Sequence, residues 1–531
     1  MRAVVRLLVL SLALAMAALP AAGQAPKRGG ILNAMLVEDP PGFSIHESST
    51  ISGVWPVAPC YSNLVLFDPQ KPLETADTII PELAERWSWQ DGYRSLVFFL
   101  RDNVRWHDGK PFTAADVKYT FDVVREAKDA PARLRLNPRK EWYGNVEAIE
   151  VPDARTVVFR LKRSQPSLLL MLASGYSPVY PAHVPLAELR QRCVGTGPFR
   201  LKEYARGQMV EMERNPDYFV PNRPYLDGIR YPIIVERGTR LAALQTGRLD
   251  TSVPLEMTNL MAETVKKNAP SVVVTEIGQN GSDNVVINHK KPPFDRVLVR
   301  RAVSLAIDRH AYVQGVRQNG AVVGGALMPK PFGVWGLPDA ELKTLPGYRA
   351  PGVDKAEARR LLAQAGYPSD KPLRVEMVTR AIAIYVDLAS FVADQLRQVG
   401  VEATVKQIDT AQYFPTLTRR DYLIGANLTA GAFDDPDALL LENYKCGSAR
   451  NYTDYCSDEM ERLIDQQSEE LNRDKRLRLV RDIQRRLEAD VARPMLGWRN
   501  EYFTRWPHVR NLVPHNSLYN YARMQDVWLD R

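Results

Sequence analysis

The chain has 531 residues, 45% apolar and 25% charged, with a formal charge of +8 at neutral pH. That length is several times the ~100–200 residues expected of one domain, so a large core and at least two lobes are expected. Lys and Arg are scattered apart from short pairs such as Arg359-Arg360 and Arg485-Arg486, without the basic, aromatic-interleaved patch of a nucleic-acid binder, so no nucleic-acid partner is expected.

Taken from the N-terminus, Arg2 and Arg6 form a basic region, Leu7 to Leu19 an apolar run, and Ala21-Ala22-Gly23 a small-residue cleavage site. This is the pattern of a signal peptide over residues 1–23, with an apolar run short of the about 20 residues of a membrane span. The first cysteine is Cys60, so no lipid attachment is expected at the cleavage site, and the mature protein should be exported, soluble and monomeric. Leu96, Phe98 and Leu100 alternate with their neighbours as a strand, Asn103 to Trp106 makes a second short extended piece, and His107-Asp108-Gly109-Lys110-Pro111 reads as a turn. Thr113 stands three residues before Asp116, the spacing of a capping box, and Val117, Phe121 and Val124 follow on one helical face.

Thr156 to Leu161 reads as a strand, and Gly195-Thr-Gly-Pro-Phe199 leads into an alternating strand, Arg200 to Tyr204. Asn284 to Asn288 reads as a short buried strand, after which Asp295 is placed to cap a helix with Val299, Ala302, Val303 and Ala306 on one face. Asp354 and Glu357 have capping-box spacing ahead of Leu361, Leu362 and Ala365, and Gly366 with Pro368 stops that helix. Leu373–Val378 and Val401–Ile408 are predicted strands around a helix over Asp387–Val399. Strands alternating with helices predict an α/β protein. Export permits disulfides, and Cys446 and Cys456 bracket a loop-like KCGSARNYTDYC, so these two are expected to pair, whereas the sequence leaves a Cys60–Cys193 bond open.

Catalytic and metal patterns are weak. His107 adjoins Asp108, but neighbouring side chains on a tight turn diverge, and both read as scaffold. Gly175-Tyr-Ser177-Pro-Val179 lacks the last glycine of a nucleophile elbow, Gly195-Thr-Gly-Pro-Phe-Arg200 lacks the last glycine of a dinucleotide fingerprint, and Gly109-Lys110 lacks the upstream glycine of a P-loop. The seven histidines, at 46, 107, 183, 289, 310, 508 and 515, show no HxxxH or HExxH spacing. No catalytic residue, metal site or cofactor is therefore expected.

Six pieces in order resemble the peptide/nickel-type (family 5) extracellular solute-binding proteins of ABC importers. They are PELAERWSW around Trp87, the Trp106-His-Asp-Gly109 turn, Gly195-Thr-Gly-Pro-Phe199, FDRVLVRRAVSLAIDR, AEARRLLAQAGYP, and Asp435-Pro436-Asp437 followed by YTDYCSDEMERLID. The resemblance implies a two-lobed periplasmic-binding-protein fold of the class with an extra subdomain in the first lobe. Two crossing segments form its hinge, and the ligand lies between the lobes. Carried onto this chain, the first lobe takes 24–278 and 503–531, its subdomain about 62–192, and the second lobe 284–498.

The resemblance also implies the function: a periplasmic receptor that passes a small solute to a cognate permease with its ATPase subunits. Peptide-binding members hold the ligand's α-amino group with a carboxylate in a Gly-Asp-x-x-Asp-Pro-Asp motif. Here the stretch reads Gly431-Ala432-Phe433-Asp434-Asp435-Pro436-Asp437, so Ala432 falls at the amine-binding position and Asp434 could substitute only through a shifted loop. Arg380 falls where dipeptide binders receive the ligand's carboxylate, a task suited to a planar guanidinium. Ser49 and Thr50 fall in a loop that meets the ligand backbone, and Phe433, Trp335 and Tyr385 are candidate pocket walls. A peptide-like solute is expected, with an opine, a sugar-like solute, a blocked peptide or a metal complex or haem as alternatives. A secreted hydrolase is the reading from a different class; a convergent Ser/His/Asp triad would mark it.

Overall fold

Two strands carry the architecture. Val273–Ile287 and Met495–Arg505 lie antiparallel from Val273 opposite Arg505 to Asn284 opposite Met495, with breaks in register between Gly278 and Ser282 and between Asp283 and Asn284. They sit inside a six-stranded mixed sheet ordered Ala321–Val322, Met495–Arg505, Val273–Ile287, Ile424–Ala430, Leu373–Arg380 and Val401–Ile408. The computed structural model describes residues 25–531; the signal peptide expected over 1–23 lies outside the described residues.

The molecule is two-lobed. The second lobe is built on the six-stranded sheet, covered by Val297–Ala306, Pro351–Gln364 and Ala383–Arg397 around a core that includes Val286, Ala302, Leu362, Met377, Leu388 and Ile424. The first lobe holds two four-stranded sheets. One orders Ile31–Asn33, Gly228–Pro232, Met209–Arg214 and Phe199–Ala205; the other orders Ala84–Gln90, Ser95–Leu100, Thr156–Leu161 and Val146–Asp153. The C-terminal tail returns to the first lobe, where Val509–Arg510 pairs with Trp528–Leu529. Helix Asp437–Tyr444 packs against the turn Lys140–Tyr143, so one continuous core spans both lobes.

The segment from Leu96 to Val124 forms as its sequence predicts. Ser95–Leu100 is a central strand, and Thr113 and Asp116 make the reciprocal capping box of helix Ala114–Val124. His107 ties this segment to the glycine-rich turn. The Gly195 N–H donates to Nδ1 at 3.3 Å and Nε2–H donates to the Gly197 carbonyl at 3.0 Å. Those two bonds fix a neutral tautomer, and burial holds the imidazole down at about 4. Both glycines are required by close approach: a Cβ on Gly195 would lie 1.9 Å from the Cys60 carbonyl oxygen, and one on Gly197 2.5 Å from its carbonyl carbon. Asp108 pairs instead with His183 at 2.7 Å.

Three local expectations change. The strand expected over 284–288 is the end of a strand that begins at Val273, because pairing on both sides overrides Gly278, Asn280, Gly281 and Asp283. Asp295 caps nothing: helix Val297–Ala306 starts from the extended Arg296, without a side-chain cap. Asp354 and Glu357 make no capping box, because Pro351, with its pre-set φ, starts that helix three residues earlier. Asp354 accepts from Gly347 N–H and Arg349, and Glu357 also pairs with Arg349.

Both cysteine pairs are bonded: Cys446 with Cys456 as expected, and Cys60 with Cys193, which the sequence left open. The second closes 133 residues and the first only 10. Loop-closure entropy therefore predicts that Cys60→Ser with Cys193→Ser costs more, within a range of about 2–5 kcal/mol, than the pair Cys446→Ser with Cys456→Ser. Urea-unfolding midpoints of the two double variants would rank them.

Candidate ligand site between the lobes

Charges from both lobes meet in the gap. Arg380, at the end of Leu373–Arg380, is 2% exposed and extends Nη2 to the Glu38 carboxylate of the first lobe and to Ser52 Oγ at 3.3 Å. Its Nε donates to Thr410 Oγ1 at 2.7 Å, and Ser52 and Thr410 both donate to Glu38. Tyr385 and Phe414 flank the guanidinium at 5.4 and 5.6 Å. The group predicted to receive a ligand carboxylate is thus an interlobe clamp. Trp335, a predicted wall, lies against Arg476 at 5.1 Å.

A second junction is fully buried. Glu442, on helix Asp437–Tyr444, lies 3.1 Å from Arg139 and 2.9 Å from Arg450. Arg139 covers the Tyr176 ring at 3.4 Å and donates to the Ser48 carbonyl at 2.7 Å, while Arg450 reaches the Ser49 carbonyl at 3.5 Å. The loop carrying Ser49 and Thr50 is therefore held through its backbone by two arginines from distant parts of the chain. Beside it opens a cavity of about 320 Å³ lined by Ser49, Thr50, Arg190 and, across the gap, Thr410 and Phe414. Ser177, in the stretch that lacks the last glycine of a nucleophile elbow, donates to the Met171 carbonyl and lies 2.7 Å from Tyr143 OH.

The loop after Ile424–Ala430 faces the hinge and the tail. Gly431 N–H donates to the Asn280 carbonyl, Asn280 Nδ2 to the Phe433 carbonyl at 2.8 Å, and Asn520 Nδ2 to the Ala432 carbonyl at 2.7 Å. Ala432 is buried and supplies no charge there. Phe433 is buried and meets Trp142 edge-on at 5.5 Å. Asp435 is gripped by both terminal nitrogens of Arg476 at 2.6 and 2.7 Å, and Asp437 accepts from Ser167 of the first lobe at 2.6 Å. Asp434 alone of the three is left without a hydrogen-bond or ion-pair partner among the described residues. Burial first, then Asp435 and Glu74, push its carboxyl up to about 7 against the pull of Arg473.

Sequence reasoning named this loop but not the buried acids of the hinge and the tail region. Glu74, in the loop 68–78, is wholly buried beside His515, whose Nδ1 is 3.2 Å away, and accepts from Ser517 N–H. Glu501 accepts through Oε2 from Leu255 N–H and Gln279 Nε2, leaving Oε1 without a protein partner among the described residues; burial raises this carboxyl to about 7. Asp283 sits 2.7 Å from Arg317 and 3.5 Å from Arg499. These residues carry no motif, since they converge from the tail, the hinge and a first-lobe loop.

The model of the bacterial extracellular solute-binding proteins, family 5 Middle, matches residues 78–451. A probable di/tripeptide-binding protein 5 of Pseudomonas aeruginosa is 24% identical over 471 residues, covering 83% of this chain and 84% of that one. Among solved structures, the Helicobacter pylori periplasmic binding protein DppA in complex with the peptide STSA superposes with a TM-score of 0.83 at 20% identity, covering 95% of this chain and 99% of that one. AgaA from A. tumefaciens in complex with agropinic acid gives 0.82 at 21%, covering 94% and 99%.

Two variants test the electrostatics. Glu442→Gln strips two buried arginines of their shared counter-charge and is expected to cost about 3–5 kcal/mol in chemical unfolding. Asp434 has a folded value raised above its unfolded one, so its contribution is fully present below about pH 4 and is lost as the pH rises through about 7. Asp434→Asn should therefore stabilise the protein by roughly 1 kcal/mol or more at pH 8 and change little at pH 4. Equal effects at the two pH values would contradict the assignment.

Proposed function

We propose that this chain, which belongs to the bacterial extracellular solute-binding proteins of family 5, captures a small solute in the gap bounded by Arg380, Ser49, Thr50 and the loop Ala432–Asp434. It is a solute-binding receptor of an ABC importer. The lobes, taken as 24–278 with 503–531 and as 284–498, close over the solute by bending at the two crossing strands, and the closed form is read by the permease and its ATPase subunits. Closure is a population shift, driven by whatever affinity the solute has for the closed state beyond the open one. No covalent step is assigned. Export by the N-terminal segment, without a lipid anchor, would place the receptor in the periplasm.

The observation that carries the reading is the set of charged contacts between lobes, Arg380 with Glu38 and Arg139 with Glu442. A hydrolase needs a nucleophile held on a base, whereas a receptor needs two surfaces whose polar groups pair only when they meet. Ala432 directs the ligand class. A free α-amino terminus would find no carboxylate at that position, and losing one partner of a buried charge pair costs about 2–5 kcal/mol. A blocked peptide, an opine or a sugar-like solute fits better than an ordinary peptide.

A thermal-shift screen of the mature protein against free and blocked peptides, opines, sugars and nickel complexes tests this. A solute at ~100 times its Kd adds about 2.7 kcal/mol, a readable shift, and native mass spectrometry identifies what is bound. Stabilisation by blocked solutes but not by free dipeptides is expected. Strong stabilisation by free dipeptides would overturn the ligand class.

A further inference from the structure

We propose that the cavity beside Ser49 and Thr50 is an acid-recognising subsite, in which Arg135 and Arg190 receive a carboxylate of a small organic acid whose body lies against Phe414. The inference rests on the receptor reading above and names the chemistry of one end of its solute. Neither charge partner that the resemblance assigns to a free dipeptide is available. Ala432 carries no carboxylate, and Arg380 holds Glu38 with Nη2 and Thr410 with Nε. A carboxylate entering the gap therefore needs another guanidinium.

Arg135 and Arg190 meet on one acid. Arg190 grips Glu47 with Nε at 2.8 Å and Nη2 at 3.0 Å. Arg135 holds Nη2 4.0 Å from the same carboxylate, to which its backbone N–H donates at 2.6 Å. Both oxygens of Glu47 are thus engaged, while both guanidiniums keep free N–H groups. Arg190 Nη1 has no hydrogen-bond partner among the described residues, and neither has the Arg135 guanidinium, whose side chain is 68% exposed. All three residues line the cavity, and Glu47 is the only acid in that lining, so two cations against one anion leave a positive charge facing it. A planar guanidinium with free N–H groups suits a carboxylate.

The rest of the lining suits an organic body. Ser49 Oγ has no hydrogen bond among the described residues, and Leu136, Phe414 and Pro415 supply apolar surface. A volume of about 320 Å³ is that of a small-molecule site and far more than a bare inorganic anion fills. The walls come from residues 41–50, 135, 136 and 190 and, across the gap, from helix Thr410–Thr418, so an enclosed solute touches both sides. Thr410, the first residue of that helix, also donates to Glu38 and accepts from Arg380, which joins this subsite to the clamp.

Matched acids and amides separate charge from shape. N-acetyl-phenylalanine with its amide, and pyroglutamate with its amide, are titrated calorimetrically into the mature protein at about 0.02 M salt. At least one acid should bind about tenfold or more tighter than its amide, and about 0.5 M salt should reduce that preference. Arg135→Gln and Arg190→Gln should each lose most of it, with thermal melts checking that both fold. Arg135 is exposed and its backbone bond to Glu47 survives the substitution, so its variant reports on the subsite even where Arg190→Gln, which strips Glu47 of its counter-charge, does not fold. No acid binding better than its amide, or a preference untouched by Arg135→Gln, would overturn the subsite. If a solute from the wider screen still binds, the receptor reading survives that failure; if no solute shifts the melting of the wild type, the receptor reading falls and the subsite with it.

Discussion

Charge brought into the gap between two lobes has to be neutralised there, and the closed structure is organised around that requirement. A carboxylate or guanidinium removed from water loses more solvation than one Coulombic contact returns unless its geometry and further hydrogen bonds are good. Glu442 meets the condition with two arginines, and Arg139 adds the face of Tyr176 and the Ser48 carbonyl. Arg380 meets it with Glu38, Ser52 and Thr410. Separating the lobes would expose both sets to water. The contacts therefore give closure its register, because each pairs only in one relative placement of the lobes, and their net contribution to its free energy is modest.

The hinge follows from the same requirement. Val273–Ile287 runs from the first lobe into the sheet of the second without leaving its pairing with Met495–Arg505. Backbone groups at the crossing are thus satisfied by the ladder, while the breaks in register near Gly278 to Asn284 turn Gln279, Asp283, Arg499 and Glu501 toward one another. A continuous ladder bends, whereas a loop at this place would leave buried N–H and C=O groups to find other partners.

What the sequence revealed of this arrangement follows how local each signal is. Strands Thr156–Leu161 and Val401–Ile408, and the Thr113 cap, have the observed bounds because alternation and capping are decided within a few residues. The failures at Asp295 and Asp354 are also local: a carboxylate at the right spacing was outcompeted by an extended Arg296 and by Pro351. The family resemblance named the loop around Ala432 and the loop of Ser49 and Thr50 as candidate ligand contacts. It could not locate Glu38, Glu74, His515 or Glu501, because each acquires its role from a chain segment hundreds of residues away. Arg380 is expected from the sequence to receive a ligand carboxylate; its partner in the structure is the carboxylate of Glu38, which only the three-dimensional contact reveals.

The motif-dense stretch around His107 and the motif-poor loop around Asp434 divide the work. His107, Gly195, Gly197 and the Cys60–Cys193 bond lock one substructure through a neutral imidazole and close backbone contacts. The Ala432–Asp437 loop keeps its backbone equally fixed, through Asn280 and Asn520, but varies its carboxylates. Two of them are consumed internally, at Asp435 and Asp437, and one position has become alanine. Asp434 is the carboxylate that remains without a hydrogen-bond or ion-pair partner among the described residues. In the proposed receptor, alanine at 432 with a carboxylate two residues away would move the electrostatic demand on the solute without changing the scaffold.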